Sequence, residues 1–119
     1  MKNSTSFALE KDSLHILHAA LERLEAGFAD LPPVNPNLPD TRAVENVLFE
    51  VADRLRDNYP YFHPLYAGQM LTPPHPVARL AYALAMWINP NNHALDGGLA
   101  SSAMEREAVA EIARMVGWE

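Results

Sequence analysis

Between two runs that read as helices lies Asn89-Pro90-Asn91-Asn92-His93-Ala94-Leu95-Asp96-Gly97-Gly98, with three asparagine amides, an imidazole and a carboxylate close together. A helix–helix connection needs only a few turn residues. Amides can fix a carboxylate or a hydroxyl without adding charge, which is the work of the few polar groups in a mostly apolar pocket. A second polar loop, over residues 59–75, offers His63, Gln69 and Thr72, and Gly68 there permits close backbone approach. A rigid helix between the two loops would set their spacing. Asn, Asp, Gly and Pro are also ordinary turn residues. Residue types alone therefore leave two readings open, a loop that only turns and a loop that holds a small molecule.

Other chemistries find less support. His15 and His18 stand at i and i+3, where two imidazoles on a helix can share a metal. No third ligand has a matching spacing, so a solvated helix face is expected, and a small metalloenzyme built on the five histidines is remote. The helical carboxylates, among them Glu22, Glu25, Glu45, Glu50, Asp53, Glu107 and Glu111, mostly alternate with arginines and read as charged outer faces. Glu105 stands apart. Ser102-Ala103-Met104-Glu105 fits a capping box at the start of the helix that leaves the polar loop, although residues 99–101 can already be helical. Ser101 and Ser102 lie where a helix start favours serine, so neither reads as a nucleophile. The lysines are Lys2 and Lys11, both in a polar N-terminal stretch where a desolvated amine is not expected. Gly97-Gly98 falls short of a phosphate-cradling loop.

Four helices must position these groups, since helical apolar spacing recurs four times and no long strict alternation argues a strand. Leu14, Leu17, Leu21, Leu24 and Phe28 form the first stripe, with Asp12 or Ser13 as cap, or a start as early as Ser6. Leu31-Pro32-Pro33-Val34-Asn35-Pro36-Asn37-Leu38-Pro39 then reads as an extended strap. Asp40 is placed to cap a second helix carrying Val44, Val47, Leu48, Val51 and Leu55. An aromatic-rich loop, YPYFHPLYAGQM, follows and is expected to pack against something. Pro76 suits the first turn of a third helix, VARLAYALAMWI, which is so apolar that burial nearly all round is expected. The fourth helix follows Gly97-Gly98 and ends at Gly117.

A chain of 119 residues is one domain or a piece of one, and an apolar fraction of 49% argues a folded chain. The apolar stripes exceed what four loosely linked helices can hide, so a partner chain or a further domain is expected to cover the rest. Net charge is −6 and the nine basic residues are scattered, which excludes the basic stripe of a nucleic-acid binder. There is no apolar run of bilayer-crossing length and no signal-peptide core at the start. With no cysteine present, a cytoplasmic location is expected.

From His63 onward, HPLYAGQMLTPPHPVARLAYALAMWINPNNHALDGGLASSAMEREAVAEIARMVGW resembles the N-terminal part of the group II pyridoxal-phosphate-dependent decarboxylases, which include glutamate and aromatic amino-acid decarboxylases. The likeness is one of order: a His-Pro opening, an aromatic and Gly-Gln step, an apolar helix, an Asn-rich loop, then Met-Glu and Val-Gly-Trp. It implies a mainly α segment of an aspartate-aminotransferase-type enzyme. Residues 1–62 would be leading helices forming a dimer arm, and 63–119 would carry substrate-pocket loops. The family's cofactor lysine, its pyridine-nitrogen aspartate and its ring-stacking histidine have no counterpart here. Pyridoxal phosphate is therefore expected only in a full-length enzyme with a C-terminal cofactor domain, and this chain alone is not expected to catalyse.

In glutamate decarboxylases a glutamine matching Gln69 and an asparagine matching Asn91 hold the substrate's side-chain carboxylate. Thr72 matches a threonine near substrate and cofactor phosphate in aromatic decarboxylases. His93 stands where glutamate decarboxylases have an aromatic residue, and LDGGLASS departs from both branches, which leaves the amino-acid substrate open. The alternative is a stand-alone helical oligomerisation or interaction module without catalysis. The closing Val116-Gly117-Trp118-Glu119 has no polar tail, as expected of a segment of a longer chain.

Overall fold

A computed structural model describes residues 11–34, 40–68, 73–93 and 96–118. Every regular element among them is helical: α1 (Leu14–Ala26), α2 (Thr41–Leu55), α3 (Pro76–Ile88) and α4 (Leu99–Met115). These are the four helices expected from the apolar spacing. The chain divides into two units, Met1–Pro76 and Val77–Glu119.

In the first unit, Ser13 occupies the N-cap position of α1, but its hydroxyl makes no capping bond. Its backbone is already near helical, at φ −84° and ψ −3°, whereas a capping side chain needs an extended backbone to reach forward. Backbone bonds tighten the first turn instead, from Leu14 N to Lys11 O and from Ile16 N to Ser13 O. The expected alternative start near Ser6 lies outside the described residues. Leu17, Leu21 and Leu24 are half-buried along the stripe, while Leu14 and Phe28 at its ends are exposed. After Ala26 the chain runs on in turns until residues 31–34, which carry no helix; residues 35–39 of the expected strap lie outside the described residues.

Asp40 caps α2 as its type and place suggest: its carboxylate accepts from Arg42 N at 3.0 Å. The apolar stripe of α2 is uncovered, with Val44, Val47, Leu48, Val51 and Leu55 between 41% and 61% exposed. In the aromatic loop that follows, tyrosines pack on one another. Tyr59 stacks on Tyr66 with centroids 5.9 Å apart, and Tyr61 meets Tyr66 edge-on at 5.3 Å. Such offset and edge-to-face pairs are the favoured aromatic geometries.

In the second unit, α3 departs from expectation. None of its residues is buried, and Tyr82 and Trp87 are 72% and 61% exposed. The apolarity of a helix states what must be covered in the working protein; it does not make this chain supply the cover. Asn89 closes α3 in the left-handed region at φ 47°, its N–H bonded to Ala85 O at 2.8 Å. Asparagine tolerates that conformation better than most residues, and Pro90 prevents continuation.

The helix α4 begins at Leu99 with Gly98 as N-cap, so Ser102 lies inside the first turns. Ser102 and Glu105 therefore do not form the expected capping box. The C-terminus follows the Schellman pattern: Trp118 N bonds to Ala113 O, Gly117 N bonds to Arg114 O, and Gly117 takes φ 70°. Among the described residues no apolar side chain is buried, and the buried polar one is Ser102, at 6% exposure. No described helix is long and apolar enough to cross a membrane.

Candidate functional site in the polar loop

The loop between α3 and α4 divides its polar groups between two tasks. Asn91 and His93 form a local Asx turn, in which the Asn91 Oδ1 accepts from His93 N at 2.9 Å. The Asn91 Nδ2 and the His93 imidazole have no partner among the described residues, and both side chains are exposed.

Asn92 faces the other way. Its Nδ2 donates to Glu105 Oε2 at 3.0 Å, and its Oδ1 accepts a short bond from Ser101 Oγ. Ser101 and Glu105 stand four apart on α4, on one face, so a single amide spans the first turns of the helix. Glu105 lies seven residues past the Gly98 N-cap, too far along α4 to serve a capping box. The Glu105 carboxylate reaches Asn92, not the backbone at the helix start. Ser101 Oγ also lies 3.3 Å from Gly98 O, but a hydroxyl carries one hydrogen, and the shorter approach is to Asn92.

Gly98 makes this arrangement possible. A Cβ there would sit 2.5 Å from Asn92 Oδ1, 2.7 Å from Ser101 Oγ and 2.9 Å from Asn91 O. Its φ of −149° is open to any residue; it is space that demands glycine. Beyond the amide lies an open groove of ≈ 400 Å³ lined by Asn92, Ser102, Glu105, Arg106, Val109 and Ala110. Ser102 Oγ has no hydrogen-bond partner among the described residues.

Of the four residues singled out from the sequence, Asn91 and His93 come together in one turn, whereas Gln69 and Thr72 lie outside the described residues. Sequence reasoning grouped Asn92 with its neighbours as a loop amide and missed its distinct role. The available signal was Ser101 and Glu105 in i, i+4 register beside an asparagine-rich turn. The two remaining candidates for a metal make local contacts: His15 Nδ1 approaches Asp12 O just before α1, and His18 Nε2 lies 3.4 Å from Glu22. No group of three potential metal ligands occurs among the described residues.

Pyridoxal phosphate is held through a lysine imine and tuned by groups around its ring. Lys11 is exposed in the turn before α1, and Lys2 lies outside the described residues. Among the described residues no enclosed lysine is offered to the cofactor, and they do not fit it.

The chain is 36% identical over 96 residues to an L-tyrosine decarboxylase of Enterococcus faecium. The match takes in 73% of this chain but 16% of that protein, so the chain spans a small part of its relative's length. Residues 63–119 are less than half of the chain, so the match extends into the leading helices, further upstream than the motifs alone indicated. No family model matches the chain, and no solved structure matches it. The chain, whose described elements are all helical, is thus distantly homologous to an L-tyrosine decarboxylase.

Proposed function

We propose that this chain is the N-terminal helical part of a pyridoxal-phosphate-dependent amino-acid decarboxylase. In this reading it supplies subunit contacts and one wall of the substrate pocket and is inactive alone. The observation that carries the reading is the similarity to L-tyrosine decarboxylase over 73% of the chain. Residues 1–62 serve as the dimer-forming arm and 63–119 as the segment bearing the pocket loops. A cofactor domain of aspartate-aminotransferase type, beyond these residues, supplies pyridoxal phosphate and with it the electron sink for decarboxylation.

The part played by this chain is binding and orientation. The Nδ2 of Asn91, without a partner among the described residues, donates to an oxygen on the substrate's side chain, and the resemblance brings Gln69 forward as a further substrate-binding residue. The resemblance likewise brings Thr72 forward, as matching a threonine near substrate and cofactor phosphate in aromatic decarboxylases. His93 offers a donor or acceptor where a purely aromatic wall would offer neither, which suits a polar side chain such as a carboxylate or the phenol of tyrosine. The relative's name brings L-tyrosine forward as the first substrate to try.

The coding sequence past Glu119 is the first test. A continuing frame with a histidine–lysine pair supports the decarboxylase, and a stop codon there supports the stand-alone helical module. In the full enzyme, Asn91→Ala is expected to raise KM about tenfold, the loss of one hydrogen bond, with cofactor absorbance intact. Unchanged kinetics would remove Asn91 from the pocket.

A further inference from the structure

We infer that Asn92 is a positioning residue, whose side-chain amide latches residues 91–93 to the start of α4. The inference deepens the decarboxylase reading, on which its consequence for substrate rests; the latch itself rests on geometry alone. An amide group has one acceptor oxygen and one donor nitrogen, and Asn92 commits both to α4, nine and thirteen residues away in sequence. The neighbouring side-chain bond of Asn91 is local, two residues long. Among the described residues, Asn92 is thus the side chain of 91–93 that ties this turn to the helix. Where Asn92 sits determines where the Asn91 Nδ2 and the His93 ring are presented.

The pairing is chemically directional. Glu105 accepts and cannot donate while ionised, so the group facing it must bring N–H. An aspartate at position 92 would still accept from Ser101 but would meet Glu105 as a like charge. Gly98 completes the device, because a side chain there would occupy the space taken by the Asn92 oxygen.

The test is hydrogen exchange of the His93 backbone amide, read by NMR on the whole chain. Asn92→Asp and Glu105→Ala are each expected to speed exchange at His93 about three- to tenfold relative to α2, the scale of one polar side-chain bond. Glu105→Gln keeps an acceptor and is expected to stay near wild type. The double variant Asn92→Asp with Glu105→Gln is expected to recover protection, because the glutamine amide now donates to the introduced carboxylate. General destabilisation gives no such recovery. Exchange unchanged in both Asn92→Asp and Glu105→Ala, or a double variant no better than Asn92→Asp, overturns the latch. Protection lost in Asn92→Asp while the kinetics of the full enzyme stay unchanged retains the latch and removes the loop from the substrate pocket, so the two readings fail separately.

Discussion

Asn91 and Asn92 are adjacent and chemically identical, yet one amide is spent on α4 and the other makes its one bond within its own turn among the described residues. The difference is set by which side chain finds Ser101 and Glu105 within reach. Gly98→Ala is expected to expel the Asn92 amide and lower stability by about 1 kcal/mol or more, through overpacking. Thermal unfolding followed by circular dichroism, with Ser101→Ala as a milder comparison, checks it. Gly117 is a different case. A Cβ there would meet nothing within 4 Å, but φ is 70°, so Gly117→Ala costs backbone strain alone, about 1 kcal/mol. A Gly117→Ala chain as stable as the wild type would show that the Schellman end of α4 is not held in solution.

The helices differ in how their ends are secured. An aspartate side chain caps α2, whereas α1 has a serine in the right place with the wrong backbone, and α4 has a glycine. Asp40→Ala is therefore expected to lower stability by about 1 kcal/mol, the usual worth of such a cap, with faster exchange at the Arg42 amide as its local signature. The ion pairs on the outer faces carry far less. Glu50 with Arg54 and Glu111 with Arg114 are well exposed, and exposed pairs contribute little. Glu50→Gln is expected to change the melting curve by less than the Asp40 substitution does.

The whole molecule is apolar in places it does not cover. The stripe of α2 and most of α3 remain open to solvent in the chain by itself. On the proposed reading a second copy covers the α2 face in the dimer. Sedimentation at rising concentration is expected to show dimers, and Leu48→Glu is expected to shift the population toward monomer by burying a charge in the contact. Dimers untouched by Leu48→Glu would place the subunit contact elsewhere. The cofactor question belongs to this scale too. A lysine exposed before α1 offers no enclosed site, so added pyridoxal phosphate is expected to show no stoichiometric imine absorbance with the chain alone.

Much of the helical plan was already present in the amino-acid sequence. Apolar spacing located α1 to α4, Asp40 announced its own cap, Pro76 marked a first turn, and Gly117 marked an end, because each depends on a handful of neighbouring residues. The resemblance in the second half of the chain was legible in the order of its motifs and is supported at the level of distant homology by the L-tyrosine decarboxylase match. Two features needed tertiary structure. The partner of Glu105 is thirteen residues away, and no local rule distinguishes a capping glutamate from one that latches a loop. The burial of α3 also could not be read from its composition, since exposure depends on what packs against a helix and not on what the helix is made of. Local chemistry determined the elements; distance in space decided which of two neighbouring asparagines was tied to α4.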